Sequence, residues 1–423
     1  MTTTGSPRTA PARRPHRTTA PPDSGSPAPP APAGRAPLKG RLAVVAVTLG
    51  IFTIVTTEIL PIGLLTRIGA DFGVSDGTAG LMMTLPGFLA ACAAPTVTVA
   101  TARFDRRLML CGLVALLALA NFTAAAAPVY WLVLLSRVLV GVVIGGFWSI
   151  GVGLAERLVP AASAGRATAV IFSAVPLGSV IGVPAGTFLG DLAGWRTACA
   201  AVGGLAVGVW VLTALVLPPL PAVRATSPAL LRATLRGVHT RFALLMTFLV
   251  VLAHFGAYTY VTPFLERTTH LTTAATVTLF LLVYGVAGVV GNFAGGAVVA
   301  RRPRTVFGTA AALLALATLL LPVLGREPVG ALALLVVWGV AYGAVPVASQ
   351  TWFAKAAPGA PEAASVLFTA SFQATLSLGA LAGGMVVDRT SPAVVMVLGG
   401  ATAVLVALVA WLHFAKRRAW PVG

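Results

Sequence analysis

The protein is a chain of 423 residues, of which 57% are hydrophobic and 9% are charged, with a formal net charge of +18. Soluble domains carry about a quarter of their residues as charged side chains, so this composition excludes an ordinary soluble fold. The basic residues lie almost entirely in loops between apolar segments, without a basic stripe interleaved with aromatic residues. We therefore expect a lipid bilayer as partner and no nucleic acid.

The first 40 residues differ from the rest of the chain. They contain 10 of the 30 prolines together with Ser, Thr, Ala and Arg. Such a segment has too few apolar side chains to form a core, so we predict a disordered cytoplasmic tail. The first apolar segment is too long and begins too late to be a signal peptide.

Twelve nearly uncharged segments follow the tail. A bilayer core about 30 Å thick is crossed by about 20 apolar residues in a helix. The sequence therefore predicts an all-α membrane protein with twelve spans, numbered here in chain order: Leu42–Thr66, Thr78–Thr101, Leu108–Ala126, Val129–Ala155, Ala167–Gly190, Thr197–Leu217, Phe242–Leu265, Thr272–Ala300, Thr305–Leu324, Val329–Phe353, Ala363–Val387 and Ser391–Ala415.

The loops between the spans are asymmetric in charge. With the N-terminus placed in the cytoplasm, the inner segments hold 23 Lys and Arg residues and the outer loops hold 5. Basic residues accumulate in cytoplasmic loops, so both termini are predicted to be cytoplasmic.

The chain also contains an internal repeat. A basic linker over 218–241 divides the spans into a six-helix bundle at 41–217 and a second at 242–415, followed by a short cytoplasmic tail at 416–423. Span 5 carries glycines at every fourth position and span 11 repeats the pattern, each with an acidic residue at its outer end. Parallel six-helix halves with the substrate between them are a transporter architecture.

Four sequence strings resemble a known family. They are Glu58-Ile-Leu-Pro-Ile-Gly-Leu-Leu-Thr66, Gly145-Gly-Phe-Trp148, Gly182-Val-Pro-Ala-Gly-Thr-Phe-Leu-Gly190 with Trp195-Arg196, and Trp338-Gly with Val345-Pro-Val347. They are similar to the major facilitator superfamily, in its twelve-helix drug:proton antiporter group. Within that group the chain most resembles bacterial purine ribonucleoside, arabinose and chloramphenicol type efflux pumps.

The resemblance implies two pseudo-symmetric six-helix bundles, the major facilitator fold, in the bacterial cytoplasmic membrane. It further implies a monomeric secondary transporter without a cofactor, which exports a purine nucleoside, a sugar or a drug by proton antiport with alternating access. Nucleoside export and drug resistance are the corresponding physiological roles.

Two charged residues lie well inside the spans. Glu58 lies eight residues before Thr66, and Arg137 lies seven residues after Tyr130. At 1.5 Å per residue both lie about 10 to 12 Å below the outer edge, so they are at matching depth. We predict that they couple transport to protons, as the family's arginine in the motif Arg137-x3-Gly141 implies. The alternative is a structural ion pair, or side chains that reach toward the outer surface.

Small residues in spans 5 and 11 are predicted to form a close-packed seal against the opposite half. In the loop after span 2, Asp105 and Arg106 match the family's gating loop, although an acid there also caps the next helix. The residues assigned to gating and sealing are Asp105, Arg106, Gly178, Gly182, Pro184, Gly186, Gly190, Gly379 and Gly383.

Polar and aromatic residues on spans 1, 4, 7 and 10 are candidates for the substrate path. They are Thr57, Trp148, Ser149, His254, Tyr258, Tyr260, Gln350 and Trp352, with Asn121, Asn292 and Gln373 as secondary contributors. Most aromatic residues in a helical bundle serve packing, and a single buried histidine is often only a hydrogen-bonding group. Such a wall suits the base and ribose of a purine nucleoside, and it also suits many drugs.

Competing functions have little support in the sequence. The five histidines and three cysteines form no spacing typical of a metal site or a disulfide. The segment Gly146–Gly151 lies mid-helix without a paired base, so it does not predict a nucleophile. A membrane enzyme or receptor is therefore disfavoured. A proton-linked importer or a facilitator remains the alternative to an exporter.

Overall fold

The structure is a computed structural model that describes residues 1–3, 5, 38–100, 104–151, 154–221, 228–299, 301–356 and 361–415. The regular structure of these residues is α-helical, and twelve helices are long and apolar enough to cross a membrane. The predicted fold class is thereby confirmed. Most of the tail at 1–40, part of the linker at 218–241 and all of the tail at 416–423 lie outside the described residues.

The helices that form the spans are often longer than the apolar segments suggest. In chain order, spans 1 to 12 are Leu38–Phe72, Leu81–Ala100, Arg106–Ala125, Tyr130–Gly151, Ala161–Ala193, Trp195–Val216, Val238–Tyr258 with Val261–Arg267, Ala274–Val299, Pro303–Leu324, Pro328–Ala356, Pro361–Arg389 and Pro392–Ala415. Three short helices join them: Asp76–Ala79, Leu154–Leu158 and Pro228–Arg236.

Two spans carry the same proline pattern with different outcomes. A proline cannot donate the helical hydrogen bond to the carbonyl four residues earlier. Span 7 is interrupted at Thr259, and the helix resumes at Val261. Pro263 has no N–H to donate to the carbonyl of Thr259. Span 1 continues through Pro61 and leaves the carbonyl of Thr57 without a helical donor. This free carbonyl becomes part of the candidate site.

Each half is built around pairs of neighbouring helices. In the first half, span 1 packs on span 5, span 2 on span 4, and span 3 on span 6. In the second half, span 8 packs on span 10, span 9 on span 12, and span 7 on span 11. The halves meet where span 2 contacts span 11 and where span 5 contacts span 8.

The contact between halves has an apolar core. Ile62, Met83 and Val183 of the first half are fully buried in a cluster that otherwise belongs to the second half. The two ends of the bundle are named here by residues that lie there, as the Ser75 end and the Asp105 end. This core and the polar contacts described below join the halves from the middle of the bundle to the Ser75 end.

Candidate functional site

Glu58 lies at the contact between the two halves. Its side chain, in the middle of span 1, is 8% exposed. Its Oε1 accepts a hydrogen bond of 3.0 Å from Nε2 of Gln373, which lies in the middle of span 11 and is 4% exposed. The amide oxygen Oε1 of Gln373 is buried without a partner. The acid is thus held by a neutral amide of the opposite half.

Arg137 does not pair with Glu58. Its side chain is 1% exposed, and its Nη1 donates a 2.8 Å hydrogen bond to the carbonyl of Thr57. This is the carbonyl that Pro61 leaves free. Among the described side chains no ion pair links Glu58 to Arg137, so the predicted pair is absent from this conformation. Arg137 and Glu58 lie at matching depth. The guanidinium of Arg137 nevertheless donates to the free carbonyl of Thr57, which accepts a hydrogen bond without carrying a charge.

Thr57 is the centre of a hydrogen-bonded group within the first half. Its hydroxyl donates to the carbonyl of Thr53 at 2.8 Å and accepts from Nδ2 of Asn121 at 3.1 Å. Thr57 and Asn121 are both fully buried. Together with Arg137 they hold the segment of span 1 next to Glu58. Thr57 is therefore held within the first half, and its place in the substrate path remains a prediction.

Aromatic side chains of the second half surround His254. Nε1 of Trp338 donates a 3.1 Å hydrogen bond to Nδ1 of His254, so Nδ1 carries no proton and the imidazole is neutral in this conformation. The imidazole stacks on Tyr342 and Tyr258, with ring centroids 3.3 and 5.1 Å away, and Tyr258 stacks on Tyr284 at 4.5 Å. We name these five side chains the His254 cluster.

The His254 cluster adjoins the acid. Tyr342 lies within electrostatic range of Glu58, and its hydroxyl is buried without a hydrogen-bond partner. An unpaired buried hydroxyl carries a desolvation penalty of about 1 to 3 kcal/mol. The site therefore combines a carboxyl group, a free amide oxygen and a free phenol. Tyr342 was missed in the sequence, although it lies inside the glycine pair Gly339-x3-Gly343 of span 10.

Four other candidates for the substrate path have separate surroundings. Trp148 is half-buried against the core of the first half. Trp352 is half-buried between Phe242 and Phe307, at ring distances of 5.6 and 5.5 Å. Gln350 is exposed, and the side chain of Ser149 lies outside the described part of the chain. Their place in the path remains a prediction.

Tyr260 packs between the two halves, and its place in the substrate path remains a prediction. It is fully buried, and its hydroxyl donates a 2.7 Å hydrogen bond to the carbonyl of Ala380 in span 11. It fills space left by Gly80 of the first half and Gly384 of the second, where an added Cβ would overlap the phenol. Tyr260 thus lies between the halves on the side of the Ser75 end.

The glycine face of span 5 packs against span 1 of the same half. A Cβ added to Gly182 would lie 3.1 Å from Cα of Thr56, and one added to Gly178 would lie 3.0 Å from Cβ of Val55. Gly186 and Gly190 lie in the same way against Leu60 and Leu64, and Pro184 of the same helix is buried. The predicted seal against the opposite half is therefore wrong for this face.

Other residues make the close contacts between halves. Span 5 meets span 8 where a Cβ on Gly285 would lie 2.9 Å from Cα of Val180. In span 11, Gly379 and Gly383 pack on Gly256 of span 7, again within one half. Glycines spaced by four allow any helix to approach closely, so the spacing predicts a close contact without naming the neighbour.

The loop after span 2 is anchored to the end of span 6. Oδ1 of Asp105 accepts hydrogen bonds from the backbone N–H groups of Arg107, at 2.8 Å, and Leu220, at 3.0 Å. Asp105 is thus the N-cap of span 3, the alternative that the sequence left open. Arg106 is 7% exposed, and its backbone N–H donates to the carbonyl of Leu220 at 2.9 Å. A gating role for either residue remains a prediction.

Polar contacts hold the halves together at the Ser75 end. The carboxylate of Asp388, at the end of span 11, accepts hydrogen bonds from the N–H of Gly77 at 2.8 Å and the hydroxyl of Ser75 at 2.7 Å. Arg267 forms a 2.7 Å ion pair with Asp76. Two further hydrogen bonds cross between the halves: Thr262 to the carbonyl of Ile62, and Thr66 to Glu266.

Comparison with known proteins gives the family. The sequence profile described as Major Facilitator Superfamily matches residues 46–369. The chain belongs to the major facilitator superfamily. It is 35% identical to Transcription regulatory protein OpdE of Pseudomonas aeruginosa, over 82% of this chain and 87% of that protein. It is 32% identical to Purine ribonucleoside efflux pump NepI of Salmonella paratyphi A, over 87% of this chain and 92% of that protein.

A solved structure shares the fold of this superfamily member. A bacterial homologue of the human lysosomal transporter Spinster, in an inward-facing and occupied conformation, superposes with a TM-score of 0.72 at 18% identity. The alignment covers 90% of this chain and 98% of that one. The protein is therefore a multi-pass membrane transporter rather than an enzyme.

Proposed function

We propose that this transporter exports a small organic molecule from the cytoplasm in exchange for protons, with Glu58 as the group that carries the proton. The observation that carries the proposal is the setting of Glu58, a buried carboxyl group in mid-span whose hydrogen-bond donor is an amide of the opposite half.

The cost of burying a charge supports this role. A charged side chain at the centre of a bilayer costs about 3 kcal/mol or more unless it is paired. Glu58 is hydrogen-bonded to a neutral amide, and Arg137 is directed to the carbonyl of Thr57. The geometry therefore suits a protonated, uncharged acid in this conformation. A carboxyl group that is buried here and reaches water when the halves move is able to load and release a proton.

The closed end fits one step of an export cycle. Charge asymmetry predicts that the Ser75 end faces the outside, so the contacts of Asp388 and Arg267 close the outer side. In an antiport cycle the proton binds from the outside, and the outer side then closes. The proton leaves on the inner side before the substrate binds there. Export is further supported by the similarity to a relative named an efflux pump.

The substrate class is proposed from the side chains beside the acid. The His254 cluster offers aromatic faces, and Gln373 and Tyr342 offer polar atoms without partners. A planar heterocycle with attached hydroxyl groups, such as a purine ribonucleoside, matches both features, and a sugar or a drug is the broader alternative. A proton-linked importer would use the same residues, so an experiment must set the direction.

The orientation in the bacterial cytoplasmic membrane is tested by cysteine labelling. A cysteine replacing Thr226, in the basic linker, should react with a membrane-impermeant maleimide only after the membrane is opened, because this loop is predicted to be cytoplasmic. A cysteine replacing Arg326, between spans 9 and 10, should react in intact cells and is the matched control. Labelling of the Thr226 position in intact cells would contradict the orientation and the division into two parallel halves.

Proton-driven export is tested in everted membrane vesicles. Vesicles acidified inside should accumulate a radiolabelled purine ribonucleoside, and nigericin, which collapses the pH difference, should release it. Addition of substrate should also raise the fluorescence of a pH-sensitive dye as protons leave the vesicle lumen. Accumulation that survives the collapse of the pH difference would rule out proton antiport. Uptake driven by protons in right-side-out vesicles alone would support an importer.

A further inference from the structure

Gln373 lies at a close contact between the two halves in the middle of the bundle. A Cβ added to Gly87 of span 2 would lie 2.5 Å from the backbone carbonyl oxygen of Gln373 and would also overlap Ser377. The backbones of spans 2 and 11 therefore touch at this level. The hydrogen bonds of the Gln373 side chain therefore lie beside a close contact between the two halves.

The amide of Gln373 is only half satisfied. Its Nε2 donates to Glu58 at 3.0 Å, whereas its Oε1 is buried and accepts no hydrogen bond. A protonated carboxyl group has one O–H to donate, and a carboxylate has none. Protonation of Glu58 thus provides a donor beside the amide oxygen that lacks one. Acid and amide then have the groups needed for two reciprocal hydrogen bonds.

We infer that Gln373 is the positioning residue that links protonation of Glu58 to closure of the Ser75 end. The inference rests on the proposed role of Glu58 as proton carrier. With the proton bound, the carboxyl group and the amide form two hydrogen bonds across the halves. When the proton leaves, the donor to Oε1 is lost and a carboxylate oxygen faces the amide oxygen. The contact weakens, and the Ser75 end is free to open.

Other charged and titratable groups near Glu58 already have defined surroundings. Arg137 of span 4 donates to the backbone of span 1, and Tyr342 of span 10 has an unpartnered hydroxyl. His254 of span 7 lies behind Tyr342 and accepts from Trp338. In the described part of the chain, spans 2, 3, 5, 6 and 11 carry no charged side chain away from their ends. Gln373 is the group among these that contacts the carboxyl directly and belongs to the opposite half.

The experiment measures closure of the Ser75 end as a function of pH. Spin labels on cysteines replacing Val129 and Val329 report the distance between the halves by pulsed electron resonance. These side chains are 41% and 82% exposed. Val129 lies in the loop before span 4, and Val329 lies in the first turn of span 10, in the opposite half at this end. Cys92, Cys111 and Cys199 are first replaced by Ala. In the otherwise wild-type protein, the closed fraction should rise as the pH falls.

Three variants separate the roles of the acid and the amide. Glu58→Gln should give a closed fraction that no longer depends on pH. Gln373→Met keeps the length of the side chain but removes both hydrogen bonds. The change in the closed-to-open ratio between high and low pH should therefore shrink by about two- to tenfold, which is the effect of one or two hydrogen bonds on an equilibrium. The exchange Glu58→Gln with Gln373→Glu rebuilds the acid–amide pair in reverse and should restore the pH dependence.

The outcomes distinguish this inference from the proposed function. A pH-dependent distance in Glu58→Gln would reject Glu58 as the proton carrier. A pH-independent Glu58→Gln together with a wild-type response in Gln373→Met would keep Glu58 as carrier and overturn the role of Gln373. A well-folded exchange variant that fails to recover pH dependence would overturn it as well, and this second test holds even where Gln373→Met fails to fold.

Discussion

Glu58→Gln should abolish uphill efflux driven by a pH difference and leave substrate binding and downhill exchange measurable. Gln has nearly the shape of a protonated Glu but cannot release a proton, so the halves can still close on Gln373 while the proton cycle stops. We expect accumulation in acid-loaded everted vesicles to fall to the level of vesicles without the protein. Counterflow of labelled against unlabelled substrate, without a pH difference, should continue.

A surface acid provides the matched control for this change. Glu327 lies in the exposed loop before span 10, and Glu327→Gln removes one negative charge at the Ser75 end without touching the site. It should transport like the wild type at equal membrane abundance. Uphill, pH-dependent efflux by well-expressed Glu58→Gln would show that the carrier lies elsewhere, with His254 as the next candidate, or that another ion drives transport.

Gly182→Leu should abolish transport by displacing span 1. The added Cβ alone would lie 3.1 Å from Cα of Thr56 and 3.3 Å from its side chain, which is closer than ordinary van der Waals contact. Overpacking of this kind typically costs about 1 to 3 kcal/mol. Thr56 lies two residues from Glu58, so the shift is passed directly to the site. The measurements are efflux in vesicles and the melting temperature of the purified protein.

A glycine without neighbours is the control for Gly182. A Cβ on Gly208 of span 6 would meet no atom within 4 Å, so Gly208→Leu adds the same side chain to a free surface. It should insert, melt and transport like the wild type. Normal transport by Gly182→Leu would contradict the close contact between spans 1 and 5. Loss of transport by both variants would point to a general effect of added bulk.

Hydropathy alone was sufficient for the number and order of the spans. The apolar length needed to cross a bilayer is a local property of the chain, so each segment from Leu38–Phe72 to Pro392–Ala415 was visible without its neighbours. The importance of Glu58 was visible for the same reason, since an acid inside an apolar segment is costly wherever its helix packs. Helix ends were less certain, because spans 1, 5 and 10 continue beyond the apolar segments.

Which side chains meet was decided by tertiary structure alone. Glu58 and Arg137 lie at matching depth, but depth does not set the rotation of a helix about its axis, and Arg137 faces the carbonyl freed by Pro61 while Glu58 faces Gln373. The spacing of the glycines in span 5 predicted a close contact with the opposite half, but the neighbouring helix is span 1 of the same half. Residue spacing within one helix shows which side chains share a face. Which helix lies against that face depends on how helices distant in sequence pack together. In this protein the packing pairs Arg137 with a free carbonyl, Glu58 with an amide, and the glycines of span 5 with span 1.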